Sequence, residues 1–480
     1  MARNWSSTEY GTNIMAFTDR LANRGSISTG YDIENSVLLV GANCEGEITQ
    51  TGGDRKTHTI SFWHKRAPIG PGSGAGELDG AGEDLWGTPS EGDTLRFGSS
   101  DLAFFHEGGT GSSLVTNRKF RDCSAWYHFV VAIATTQSTA ANRIKIYVNG
   151  VQETSFSTET YPDQNDEFKL MENSQVFRIG AGHGGTTSAT GQGYYADFII
   201  VDGAAKAASD FGEFNDDGIW VPKEYTGDFN TGSGTNGAHY KFAGTAEGTG
   251  AGSTGLDSGG ESNNMNFENQ VGGLTDTPTN NFCTLNPLWV YGNAITTGPT
   301  NGNLKVDGGS WAGTKATMGV DKGKWYWEWK TGGSDAIVGI QTDEGEALTG
   351  NAHNILSTAA IYDEFWIKDS TSGRNDTDLT WTRDTNEVMS LALNMDDNQI
   401  SIYQDGTLIT NAGDMSLDGL SNTYVFPFAA TYNVAIEFNF GNPIFAIASG
   451  NADENGYGNF EHAPPSGYYA LCTKNLAEFG

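Results

Sequence analysis

A chain of 480 residues is longer than one ordinary core can organise, so two or three domains are expected. Its 59 acidic and 27 basic side chains leave a formal net charge of −32, which repels phosphate backbones and anionic lipid heads and argues against direct nucleic-acid binding. Charged residues are sparse at 18% while glycines number 65 and aromatics reach 11%; short strands joined by many turns are expected, and the class is all-β.

The N-terminus, MARNWSSTEYGTN, lacks a basic-then-apolar pattern, and no apolar run of about 18 residues occurs anywhere. Neither a secretion signal nor a membrane span is therefore expected; a protein made in a cytoplasm is expected, which, if it ends up outside a cell, travels on a particle or leaves by lysis. Residues 1–30 are polar with one helix-compatible run, FTDRLANRGS, and read either as a docking arm or as a frayed terminus.

Residues 31–243 form the first expected domain. Its best strands are TISFWHK (59–65), WYHFVVAIA (126–134), RIKIYVNG (143–150), VFRIGA (176–181) and YADFIIVDG (195–203). Ile144, Ile146 and Val148 alternate with Lys145, Tyr147 and Asn149, the period of a strand with one buried face. Asn149-Gly150 supplies a tight hairpin turn. Both faces of WYHFVVAIA are apolar, as in a central strand covered on both sides. Residues 68–93 are Gly/Pro-rich, acidic and without periodicity, a functional or mobile loop. Trp86 within it has no apolar run around it and is a candidate anchor on a partner subunit.

Residues 244–300 begin with GTAEGTGAGSTGLDSGGES and read as a linker plus an irregular lead-in. The second domain spans 301–480. In KWYWEWK (324–330) Trp325, Trp327 and Trp329 share one face and are expected in the core. Residues 387–409 read as strand, turn, strand, Asp-Gly turn, strand, and VAIEFNFG (434–441) alternates again. The two halves share a local plan, which favours two related sandwiches over one large domain.

The runs SAWYHFVVAIATTQSTAANRIKIYVNGVQETSFS (124–157) and YYADFIIVDGAAKAASDFGEFNDDGIWVPKEYTG (194–227) resemble the laminin-G/concanavalin-A-like jelly-roll modules of marine phages. In the second half, GKWYWEW (323–329), NEVMSLALNMDDNQISIYQDG (386–406), YVFPFAATYNVAIEFNFG (424–441) and PPSGYYALCTKNL (464–476) resemble a SPRY domain. The resemblance implies two antiparallel jelly-roll β-sandwiches joined by a Gly-rich linker. It also implies a structural or host-attachment protein of the virion, such as a fibre, tail appendage or capsid-surface protein. Its partners would be other virion proteins, further copies of itself (a trimer for a fibre) and a host-surface glycan. A carbohydrate-binding receptor protein is the alternative, and a polysaccharide depolymerase a further one.

Chemistry-bearing motifs are few. No Glu-x-Asp-x-Glu run occurs to set two carboxyl groups along one strand, and Asp343-Glu344-Gly345-Glu346 reads as a solvated turn. The eight histidines include no HExxH, and neither a nucleophile elbow nor a P-loop is present. A non-enzyme without cofactor or transition-metal site is expected. YPDQNDEF (161–168) offers Asp163, Asn165, Asp166 and Glu167, hard oxygen ligands for calcium or simply an acidic turn. The four cysteines are widely spaced and expected as free, mostly buried thiols. Sugar binding needs an exposed ring with amide or carboxylate groups beside it. IYDEFWIKDSTSGRNDTDLTW (361–381) brings Tyr362, Asp363, Trp366, Arg374, Asn375 and Trp381 into one loop-rich stretch. They are the candidate ligand-binding residues, unless Trp366 and Trp381 simply cover the sandwich edge.

Overall fold

The computed structural model describes residues 30–40, 44–67, 83–89, 92–98, 100–107, 111–182, 191–291, 299–308, 311–333, 335–342, 358–361, 365–368, 375–377, 387–409, 415–416 and 424–480. Residues 1–29, proposed as an arm, lie outside them. Nearly every regular element is an antiparallel strand, and the strands make two sandwiches.

In the first sandwich one sheet runs in the order Val151–Gln152, Ile144–Val148, Tyr127–Ala134, Thr57–Arg66, Gly193–Asp202, Ser36–Leu39 and Val271–Leu274, with Ala238–Tyr240 also on Gly193–Asp202. The facing sheet runs Phe156–Thr160, Ser112–Thr116, Leu102–His106, Thr94–Phe97, Glu83–Gly87, Val176–Ile179, Glu45–Thr49 and Asn266–Glu268. The alternating side chains Ile144, Ile146 and Val148 point into the shared core, against Phe129, Val131 and Ile133 of the neighbouring strand. The expected hairpin follows them. Asn149 (φ 46°) and Gly150 (φ 79°) both take left-handed backbone, as a primed two-residue turn requires.

The second sandwich pairs a seven-stranded sheet, Leu285–Tyr291, Ala312–Ala316, Val425–Thr431, Ala336–Thr342, Thr358–Ile361, Phe365–Lys368 and Asn375–Thr377, with an eight-stranded one. The latter contains Lys305–Asp307, Ala435–Asn439, Lys324–Thr331, Met389–Asn394, Gln399–Gln404 and Thr407–Leu408 in that order. Trp325, Trp327 and Trp329 enter the inter-sheet core together with Leu391, Leu393, Phe438 and Phe440. The opposite face of the same strand is buried too. Tyr326 packs there with Phe460, Ala470 and Cys472, contributed by the C-terminal segment.

Two expectations change. Trp86 is not a loop anchor: it is fully buried in the first core, tilted against Phe104 and Phe177 at centroid distances of 6.0 and 6.1 Å. Residues Glu83–Gly87 form a strand whose register shifts between Asp84 and Trp86. That bulge lets both Leu85 and Trp86 face the core, so the period of two that reveals a strand is broken. The stretch 244–300 likewise supplies more than a linker. Asn266–Glu268 and Val271–Leu274 add edge strands to the two sheets of the first sandwich, and Leu285–Tyr291 opens the second.

Between these strands, residues 275–285 thread a waist that touches both sandwiches. Asp276 is buried against Lys65, and Cys283 N–H donates to Leu471 O near the C-terminus. Tyr194 of the first sandwich donates its hydroxyl to Gly302 O at 2.9 Å. Gly302 (φ 71°) can only be glycine here, because a Cβ would stand 2.3 Å from that hydroxyl oxygen.

Replacing Trp86 by Ala should cost about 3–5 kcal/mol of stability, read as a lower urea midpoint at unchanged slope. An unchanged midpoint would contradict its place in the core.

Candidate functional site

The sheet containing Thr57–Arg66, Tyr127–Ala134 and Gly193–Asp202 buries its inner face in the first core, and its outer face is covered as well. At one end Trp63, Trp126, Tyr194 and Leu38 pack beneath the waist. At the other, Val130, Ile199 and Val201 lie under Ala208, Phe211 and Tyr225. Polar side chains fill the strip between.

Ser61 and His128 meet there, with Ser61 Oγ 2.9 Å from His128 Nε2. A serine beside a histidine invites a nucleophile–base reading, and the tautomer decides it. The indole N–H of Trp220 lies 3.0 Å from His128 Nδ1 and can only donate. Nδ1 is therefore the acceptor, and the proton of the neutral ring sits on Nε2 and points at Ser61. Burial, only partly opposed by the Asp197 carboxylate, pushes the His128 pKa down to about 3, so the ring is neutral. A donating Nε2 cannot take the serine proton. The pair ties strands together.

The same imidazole is the middle of a ring stack. Trp63 lies 4.7 Å from it at an interplanar angle of 29°, and Trp220, bonded at Nδ1, lies 5.9 Å from it at 25°. Trp220 continues outward to Phe214, 5.0 Å away and edge-on. These two belong to a short hairpin, Gly212–Phe214 paired with Trp220–Pro222. Asn215 organises its turn: Oδ1 accepts the N–H groups of Asp217 and Ile219, and Gly218 (φ 75°) completes it. Phe214 is 53% exposed, with Glu213, Asp216 and Asp217 also open to solvent. Val151, 52% exposed, follows the turn residue Gly150, whose α-carbon abuts the Trp220 ring. An aromatic edge thus stands beside carboxylates on a hairpin whose base is clamped by the His128 stack.

Two further buried clusters are bonded internally. His106 Nδ1 is 2.5 Å from Asp93 Oδ1, and Asp93 Oδ2 accepts the Leu170 N–H. Burial lowers the His106 pKa, but Asp93 and Asp166 outweigh it and leave it raised. Glu328 accepts from Tyr326 Oη, Asn439 Nδ2 and the N–H groups of Glu461 and His462, all within 3.1 Å. Burial raises its pKa, and those four bonds oppose the rise.

Of the residues singled out in 361–381, Tyr362, Asp363, Arg374 and Trp381 lie outside the described residues, as do Asp343, Glu344 and Glu346. Trp366 and Asn375 fall in neighbouring strands but at opposite registers. In backbone register Trp366 pairs with Ala360 and Asp376, and Asn375 with Ile367, one position out of phase. The acidic turn offered for calcium is given over to other partners: Glu167 pairs with Arg55 and Lys56 at 3.1 and 3.3 Å, and Asp166 lies 3.4 Å from His106. Asp163 and Asn165 make turn contacts through their backbones. Among the described residues no group of three or more His, Cys, Asp or Glu stands where it could hold a metal ion. All four cysteines are free and buried.

Residues 45–209 match the Concanavalin A-like lectin/glucanases superfamily, in its laminin-G form. That concanavalin-A-like match covers the strands from Glu45–Thr49 to Gly193–Asp202 and stops just before the Phe214–Trp220 hairpin. No curated protein matches. Among solved structures, the chain is similar to the SPRY domain of human HERC1 at 14% identity, covering 34% of this chain and 99% of that one, with a TM-score of 0.25. The TRIM65 PSpry domain matches at 11% identity, covering 33% and 88%, with a TM-score of 0.27. The heptameric SAP-like pentraxin of Limulus polyphemus matches at 12% identity, covering 37% and 80%, with a TM-score of 0.26.

Sequence reasoning passed over Phe214 and Trp220 as site residues, although the signal was present. In Phe-Asn-Asp-Asp-Gly-Ile-Trp a turn core is flanked at both ends by an aromatic residue.

The neutral His128 carries a pH signature. Its folded pKa of about 3 lies below its ordinary 6.5, so between these values the unfolded chain binds a proton that the folded one refuses. Stability should therefore fall as pH drops from 6.5 towards 3, and the slope for the native protein should exceed that of His128→Gln by about one proton. Equal slopes in urea titrations across that range would contradict a neutral His128.

Proposed function

We propose that this protein is a non-enzymatic β-sandwich protein on the outside of a phage particle, and that its concanavalin-A-like sandwich recognises a host-surface glycan. The observation that carries the reading is the hairpin bearing Phe214 and Trp220. A ring edge held out on a clamped base, with Asp216 and Asp217 beside it, offers a stacking surface for a sugar C–H face and acceptors for its hydroxyls. The match of residues 45–209 to a lectin/glucanase superfamily supports carbohydrate as the ligand class. The donating tautomer of His128 and the internal bonding of Glu328 support binding without hydrolysis.

The virion setting rests on the ordered pair of modules and the strongly acidic, glycine-rich composition. Its partners there would be other virion proteins and further copies of this chain. Antibody-labelled electron microscopy of purified particles tests the placement, and particles lacking the protein would contradict it.

Calorimetry with host lipopolysaccharide and exopolysaccharide tests the ligand. Phe214→Ala should weaken binding about tenfold, or ~1.4 kcal/mol, with the urea midpoint unchanged because the ring is half exposed. Binding unaffected by Phe214→Ala but lost in the Trp366→Ala/Trp381→Ala double variant would move recognition to the second sandwich.

A further inference from the structure

At the waist, an amine, a carboxamide and a carboxyl group meet out of reach of water. Lys65 Nζ lies 2.7 Å from Asn281 Oδ1, 2.9 Å from Asp276 Oδ2 and 3.0 Å from Phe282 O. Lys65 and Asp276 are 0% exposed and Asn281 3%. Around them stand the Tyr194 ring, 5.5 Å from Nζ, and Trp126, whose indole N–H donates to Asp276 Oδ1 at 3.1 Å. The Phe282 N–H also reaches that oxygen, at 3.3 Å. The carboxamide is fixed from its other end, because Asn281 Nδ2 donates to Ser124 O at 2.6 Å.

We propose that Lys65 and Asn281 react to form an intramolecular isopeptide bond, with Asp276 as the catalytic acid–base. Two opposite charges buried together each pay desolvation, and transfer of the ammonium proton to the carboxylate neutralises both. The transfer spans the 2.9 Å hydrogen bond between Lys65 Nζ and Asp276 Oδ2. The free amine is a nucleophile already held at the carboxamide, so the reaction pays none of the entropy of encounter. The Nζ–Cγ bond forms and the Cγ–Nδ2 bond breaks. Nδ2 leaves as ammonia, taking one proton from the attacking nitrogen and a second from Asp276, so ammonium departs and the Asp276 carboxylate is restored. Nothing is oxidised or reduced, and no co-reactant is consumed. The remaining amide N–H keeps an acceptor in Asp276 or Phe282 O.

The bond would tie the strand Thr57–Arg66 of the first sandwich to the segment that enters the second. Denaturing intact-mass spectrometry of the purified full chain tests it. The expected mass is below that of the sequence by one ammonia, about 17 Da, with a branched tryptic peptide containing both Lys65 and Asn281. Asn281→Ala and Asp276→Asn should each restore the full mass and yield only linear peptides. A wild-type chain of full sequence mass, cleaved by trypsin after Lys65, would overturn the proposal, and that result needs no variant to fold. Ammonia loss that persists in Asn281→Ala, or that comes without the branched peptide, would assign the loss to another asparagine and overturn it equally.

Discussion

A lysine side chain with no solvent exposure must find partners inside the protein, and meeting that need for Lys65, before and after any bond to Asn281, organises the centre of this molecule. An uncompensated buried charge costs several kcal/mol, and breaking a buried pair typically costs about 3–5 kcal/mol. Asp276, Asn281 and Phe282 O supply the acceptors, all from the segment that leaves one sandwich and enters the other. The same segment is held from both sides. Ser36 Oγ of the first sandwich donates to Asp276 O, and the Asn281 N–H donates to Thr473 Oγ1 near the C-terminus. Tyr194 on Gly302 and Ile444 against the Trp63 cluster add contact on either flank. Charge satisfaction and apolar burial therefore act at one place, and the two sandwiches share a polar interior there.

That arrangement restricts what the outer sheet exposes. With the waist over one end of the outer sheet and the 204–229 excursion over the other, little of that sheet remains for a ligand. What is exposed is the rim of the excursion, where Phe214 projects from a hairpin braced by the Trp63–His128–Trp220 stack. Among the buried polar groups, Ser61, His128, Asp93 and Glu328 have lone pairs or protons committed to neighbours.

Much of the fold was legible from period-two alternation, because that pattern reports a strand with one wet face. Ile144, Ile146 and Val148 and the three tryptophans at 325, 327 and 329 were read correctly for this reason. Trp86 escaped because a register shift puts consecutive apolar residues on one face. The 244–300 stretch escaped because its edge strands Asn266–Glu268 and Val271–Leu274 are only three and four residues long, and because its key residue, Asp276, is specified by a lysine 211 positions away. No local pattern carries such a partner. At the candidate site, the tryptophans of 361–381 drew attention through composition alone. The Phe214–Trp220 pair was signalled by aromatic residues flanking a turn core, and the Asn215 turn brings the two rings together.

Differential scanning calorimetry of the full chain tests the central claim, that the buried waist makes the two sandwiches one body. The account predicts a single transition whose van't Hoff enthalpy equals its calorimetric enthalpy, the signature of all-or-none unfolding. Two resolved transitions, or a calorimetric enthalpy about twice the van't Hoff value, would mean that each sandwich melts alone and that the Lys65 cluster does not couple them.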